Sequence, residues 1–266
     1  MGPASAFARR TPAPGPRRES TYDDDSPISA IVRALPISML DHLICDCDGV
    51  LVDSEVIADR VLLDVLGATF PSLDFSADAA AAFGQKTSLF LASVEARHGI
   101  RMPDGFVSTI DRATEAELAR SLAPIAGVRD ALLRIPLPAA VVSNARGERV
   151  RNSLARAALT DVFGERVFSA DQVARPKPYP DVYLLAARTL GVEPARCVVV
   201  EDSLSGLTAA RAAGMKTIAF VGASHIPDGY ESVLRATGIT RIVRTMSELP
   251  ALVEAGMRGE FGDVQS

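Results

Sequence analysis

No run in this chain is long and apolar enough to cross a bilayer, and none pairs a positive start with the continuous apolar core of a secretory signal. A membrane role and a secretory leader are therefore not expected. The chain also lacks a surplus of positive charge. Its 28 lysines and arginines face 33 aspartates and glutamates, for a net charge of -5, so nothing favours a nucleic-acid partner. Cysteine is scarce: three residues make no disulfide framework, and the spacing Cys45-x-Cys47 fits neither a thiolate zinc clamp nor a redox pair. Cys45, Cys47 and Cys197 read as small buried strand residues in a reducing, cytoplasmic compartment. No internal repeat is found. What remains is 266 residues with 48% hydrophobic content, enough for one or two globular domains acting on a small molecule as a monomer or weak dimer.

Residues 1–38 carry prolines at 3, 12, 14 and 16, arginines at 9, 10, 17 and 18, and an Asp23-Asp24-Asp25 run, with no sustained period. They read as a flexible extension. Between 57 and 122 the apolar spacing predicts helices over 56–67, 76–83 with Ser76 as cap, 87–98 and 105–122, without an intervening strand. From Pro124 onward the pattern alternates: strands over 139–142, 166–168, 197–200, 217–221 and 241–243, with helices over 147–158, 179–190, 204–213 and from Ser247. This predicts an α/β fold with a parallel sheet core over 39–56 and 123–266, and an all-helical insertion over 57–122.

Polar clusters follow three of the apolar strands directly. Asp46 and Asp48 follow His42–Cys45, Ser143 and Asn144 follow 139–142, and Glu201 and Asp202 follow 197–200. In an open parallel sheet all strand carboxyl ends share one edge, so these clusters converge in space although they are far apart in sequence. Each alone has a bland reading as a turn, a helix cap or first-turn acids. Together they can divide labour. Asp46 can serve as nucleophile toward phosphorus and Asp48 as general acid and then base, while Glu201 and Asp202 supply hard oxygens for magnesium. Ser143 and Asn144 sit before a helix start that favours anions, and Lys177, held between prolines at 176 and 178, can neutralise developing charge.

The ordered set Asp46-x-Asp48-Gly49-x-x-x-Asp53-Ser54, Val141-Val142-Ser143-Asn144, Arg175-Pro176-Lys177-Pro178 and Glu201-Asp202-Ser203-x-x-Gly206 resembles the haloacid dehalogenase superfamily. The resemblance spans about residues 41–250. It is to the subgroup with a helical cap after the first motif, which includes phosphoglycolate, sugar-phosphate and 6-phosphogluconate phosphatases and beta-phosphoglucomutase. It implies a Rossmann-like core and a magnesium-dependent phosphatase that forms an aspartyl-phosphate on Asp46, with a small sugar phosphate or sugar-acid phosphate as substrate. It further implies Asp48 as acid/base, whose carbonyl also meets the metal, Ser143, Asn144 and Lys177 at the phosphoryl group, and Asp46, Asp48, Glu201 and Asp202 as the metal set. The second acid, Asp48, argues against dehalogenation. Ala58 stands where the mutase carries a histidine, which favours hydrolysis over a phosphosugar mutase. A sugar-phosphate sensor without turnover is the non-enzymatic alternative. Glu55 and Lys86 are candidates to read the substrate from the cap, and Arg146 is either a substrate contact or a solvated loop residue. His42, His98 and His225 read as structural.

Overall fold

The computed structural model describes residues 39–81 and 87–261. The extension read over 1–38, Lys86 and the end of the helix expected over 76–83 lie outside the described residues.

Short runs such as Leu43-Ile44-Cys45 and Val198-Val199-Val200 are apolar throughout, as suits strands covered on both faces. Strand β1 (His42–Cys45) is central, between β2 (Ala139–Ser143) and β4 (Cys197–Glu201); β3 (Val167–Ser169) lies beyond β2, and β5 (Lys216–Phe220) and β6 (Ile242–Val243) lie beyond β4. All pairings are parallel, with Cys45 opposite Val141 on one side and Val200 on the other. Successive residues therefore feed opposite cores. Leu43, Val141, Val198 and Val200 pack with α6 (Gly147–Arg156) and α11 (Leu249–Met257), while Ile44, Val142 and Val199 pack with α8 (Asp181–Leu190) and α9 (Leu204–Ala212). Full burial of each such side chain contributes about 1.5–3 kcal/mol. This is the α/β arrangement expected, and it brings the ends of β1, β2 and β4 to one edge.

Among the described residues, four helices lie between β1 and α5 (Val128–Arg134): α1 (Glu55–Thr69), α2 (Ser76–Ala81), α3 (Thr87–His98) and α4 (Phe106–Ser121). Leu66, Phe75, Phe90, Leu91, Val94, Phe106 and Ile110 form a core of their own, and Ile57 and Val61 of α1 meet Leu118 of α4. The chain enters and leaves this insertion at one narrow neck. Val52 bridges Pro124 in antiparallel fashion, the Asp53 N–H donates to Ala123 O at 3.0 Å, and the Ile125 N–H donates to Leu51 O at 3.0 Å.

Several element ends differ from the sequence expectation. Helix α1 continues through Gly67 to Thr69, because the packing of Leu66 outweighs the roughly 1 kcal/mol a glycine costs inside a helix. Asp74, not Ser76, satisfies the first N–H of α2. Helix α11 starts at Leu249 after a short turn over Met246–Glu248, so Ser247 is not its cap. Helices α5, α7 (Thr160–Phe163) and α10 (Tyr230–Ala236) span too few residues to display a readable period. Among the described residues no helix is long and apolar enough to cross a membrane.

Candidate functional site

Asp46 is the first residue past β1, and its N–H still donates to Val200 O at 2.9 Å, so its side chain is aimed by the sheet itself. A tight turn follows. Leu51 and Val52 N–H groups both donate to Cys47 O, and Gly49 sits at φ +75. A side chain at Gly49 would be strained there, and its Cβ would fall 1.9 Å from Asp202 Oδ2. The turn sends Asp48 away from Asp46. Its Oδ1 accepts from Ser54 Oγ at 2.5 Å and lies 3.5 Å from Arg149 Nη2, and its Oδ2 is 3.5 Å from the Ser143 hydroxyl.

Lys177 occupies the centre of the cluster with 3% of its side chain exposed. Its ammonium donates to Asp46 Oδ1 at 2.7 Å, Val142 O at 2.9 Å and Glu201 Oε1 at 2.7 Å, which uses all three N–H bonds. Asn144 secures the loop that carries it: its Oδ1 accepts from the Lys177 N–H at 2.9 Å and its Nδ2 donates to Lys177 O at 3.3 Å. Asn144, expected at the phosphoryl group, thus has its amide committed to backbone. Tyr183 packs its ring 5.0 Å from the Lys177 ammonium and donates its hydroxyl to Glu201 Oε1 at 3.3 Å.

Glu201 is fully buried, and its second oxygen accepts from the Ser203 N–H and hydroxyl. Ser203 in turn caps α9 by accepting from the Gly206 N–H at 3.0 Å. A Cβ at Gly206 would fall 1.6 Å from Glu201 Oε1. Gly206→Ala is accordingly expected to lower stability by about 2 kcal/mol, read as a lower urea midpoint, since the carboxylate has no free direction in which to yield. Unchanged unfolding would show that the contact relaxes.

Carboxylate oxygens of Asp46, Glu201 and Asp202 lie within 4.8 Å of one another, all buried. Burial pushes the Asp46 and Asp202 carboxyls well above the usual carboxylate range, the neighbouring Glu201 charge adds to this, and Lys177 opposes it. Burial works to lower the Lys177 pKa, but Asp46 and Glu201 outweigh it and hold the ammonium well above its ordinary value. Three buried carboxylates against one ammonium form a site short of positive charge, and their hard oxygens suit a divalent cation such as magnesium. Asp46 and Asp202 are the better placed, because both Glu201 oxygens already accept from protein donors. The Asp48 carboxylate, expected among the metal set only through its residue, faces Ser54, Ser143 and Arg149 instead.

Residues to which the sequence reading gave no part in the chemistry complete the site. His225 Nε2 lies 3.2 Å from Asp202 Oδ2, so a histidine read as structural stands at the acidic cluster. Its loop is pinned by Asp53, which accepts from the Ser224 N–H at 3.1 Å and from the Ser224 hydroxyl. Ser54 and Arg149 hold Asp48. A cavity of about 430 Å³ opens over Asp46, Ser143, Lys177 and Asp202, with Glu55 and Asp59 of α1 on its far wall. Burial raises the carboxyl pKa of both Glu55 and Asp59. Cys45 and Cys47 are free and buried, and burial pushes both thiols up, so neither offers a thiolate.

Residues 40–214 match the family model described as haloacid dehalogenase-like hydrolase. The chain is 29% identical to 6-phosphogluconate phosphatase of Escherichia coli strain K12, across 71% of this chain and 86% of that protein. It is 32% identical to hexitol phosphatase B of the same strain, across 66% of this chain and 81% of that protein. A solved HAD family hydrolase from Deinococcus radiodurans, with bound phosphate and sodium, is 34% identical and superposes with a TM-score of 0.70, covering 83% of this chain and 98% of that one.

Proposed function

The chain belongs to the haloacid dehalogenase-like hydrolase family, and from that premise we propose that it is a phosphoric monoester hydrolase releasing phosphate from a small phosphorylated sugar or sugar derivative. The observation that carries this reading is the position of Asp46, the first side chain past the central strand, held at 2.7 Å by a buried ammonium at the sheet edge where Ser143 and Asp202 also end.

The Asp46 carboxylate attacks phosphorus in line with the leaving oxygen, so that an Asp46 O–P bond forms as the ester P–O bond breaks. Asp48 gives its proton to the departing alcohol oxygen. It then takes a proton from the water that attacks the aspartyl-phosphate, which frees inorganic phosphate and restores Asp46. Ser54 and Ser143 fix the Asp48 carboxylate for both transfers, one from each side. Lys177 orients the nucleophile and sets positive charge beside the phosphoryl oxygens, where burial keeps it from being screened. Magnesium held by Asp46 and Asp202 would neutralise phosphate charge and let two anions meet. Helices α1–α4 act as a cap that shuts water from the cavity. Ala58 offers no imidazole to a second sugar hydroxyl, which supports water as the final acceptor.

Chelation tests the metal. With EDTA, phosphate release is expected to vanish and to return on adding magnesium, and saturating magnesium is expected to raise the melting temperature of the resting protein, since a ligand bound only by the folded state stabilises it. Release that persists in EDTA, or an unmoved melting temperature, would remove magnesium from the reading.

A further inference from the structure

We propose that His225, seated by Asp53 through Ser224, is a positioning residue that aims the Asp202 carboxylate at the magnesium it would share with Asp46. This inference rests on the magnesium part of the reading above and adds to it what sets the affinity.

Each acid of the buried cluster has a holder. Lys177 donates to Asp46, and Lys177, Tyr183 and Ser203 between them occupy both oxygens of Glu201. The Asp202 carboxylate meets an imidazole instead, with His225 Nε2 3.2 Å from Oδ2. A carboxylate oxygen offers only lone pairs, so the ring nitrogen that faces it carries the hydrogen. Only 11% of the His225 side chain and 6% of the Asp202 side chain are exposed, which shields the contact from competing water. The glycine turn closes the other side. A Cβ on Gly49 would fall 1.9 Å from Asp202 Oδ2 and 2.9 Å from His225 Cε1, so backbone, carboxylate and imidazole pack against one another. Wedged between turn and ring, the Asp202 side chain keeps one direction out of the several its two rotatable bonds allow.

His225 is itself held by the turn that follows β1. Asp53 Oδ1 accepts from the Ser224 N–H at 3.1 Å and Oδ2 from the Ser224 hydroxyl, while the Asp53 N–H donates to Ala123 O at 3.0 Å. The loop after β5 is backed from behind as well, since a Cβ on Gly222 would fall 2.1 Å from Arg244 O. Two adjacent residues thus serve two acids: Ser54 holds Asp48 directly, and Asp53 holds Asp202 through the loop. A carboxylate that is already aimed loses little rotational freedom on taking up a cation, and partners of this kind typically raise metal affinity by about 10–100-fold.

The test is the magnesium dissociation constant of the full chain without substrate, taken from the rise of melting temperature along a magnesium titration. His225→Ala is expected to weaken binding by about tenfold or more, and His225→Gln, which keeps an N–H near the place of Nε2, to recover most of that loss. Ser224→Ala is expected to weaken it about threefold in the parent and to add nothing on the His225→Ala background, because it acts only through the imidazole. At saturating magnesium the KM of His225→Ala for p-nitrophenyl phosphate is expected to stay within about twofold of the parent's. A KM that rises further makes His225 a substrate contact and overturns the inference. So does a lower melting temperature in EDTA with an unchanged dissociation constant, which marks a structural role, and so does a Ser224→Ala effect that adds in full to that of His225→Ala. If His225→Ala does not fold, the dissociation constant of Ser224→Ala decides alone. A parent that binds magnesium and variants that match it overturn this inference only, whereas a parent without a magnesium response overturns it together with the magnesium reading.

Discussion

An Asp46→Asn protein is expected to lose phosphate release by at least about 10⁴-fold while remaining folded, because the amide keeps the shape of the carboxylate but cannot form the ester bond to phosphorus. The stability of this variant makes the result interpretable. Burial raises the Asp46 pKa in the folded state, and the sign follows from that. A carboxyl with a raised folded pKa opposes folding at every pH above its unfolded pKa, so its charge is a burden near neutrality. Asparagine lifts that burden, and its carbonyl can still accept from Lys177. Without magnesium, the variant should therefore unfold in urea at the parent's midpoint or above it. Residual turnover above the stated bound would deny Asp46 the role of nucleophile, and a midpoint well below the parent's would show that its charge supports the fold instead of burdening it.

Lys177→Met should be the most damaging single change to both fold and activity. Methionine keeps the length of the stem over Tyr183, so packing is largely conserved and the ammonium alone is removed. That leaves Asp46 and Glu201 buried without the cation that sits 2.7 Å from each. Removing one partner of a buried ion pair typically costs about 3–5 kcal/mol, and the loss of charge beside the phosphoryl group about 10²–10³-fold in rate. The stability loss carries a pH signature. With Lys177 gone, the Asp46 and Asp202 carboxyls titrate at still higher pH in the folded state, so their penalty is absent in acid and grows as pH rises toward neutral. The gap between variant and parent urea midpoints should be larger at neutral than at mildly acidic pH. A gap independent of pH would show that packing, not charge, had been lost.

The parallel core was readable because its strands are short and largely apolar on both faces, and because β1, β2 and β4 run directly into residues that have no business in a core. Val198-Val199-Val200 followed by Glu201-Asp202 is such a signal, and the structure places it beside Asp46. What escaped reading depends on geometry that no single-residue pattern carries. Ser54 reaches Asp48 only because the turn at Gly49 folds six residues back on themselves. Arg149 stands one helical turn past Arg146, but its meeting with Glu115 requires knowing how α4 lies over α6. His225 joins Asp202 through a loop whose course is set by Asp53, far earlier in the chain. Asn144 follows a strand as a phosphate-binding residue would, yet the backbone of Lys177 claims its amide.

The neck at Val52 and Pro124 separates two kinds of evolutionary freedom. Since the insertion begins and ends at one backbone bridge, its length hardly enters the cost of closing β1 onto β2; each doubling of a loop adds only about 0.6 kcal/mol. Helices can be lengthened, shortened or exchanged above the neck without disturbing the sheet register that aims Asp46, Lys177 and Asp202. Glu55, Asp59, Asp111 and Glu115 all lie above it. The carboxylates at the strand ends and the side chains of the insertion can therefore drift at different rates, and a graft cut at Val52 and Pro124 would carry one set into a related sheet while leaving the other in place.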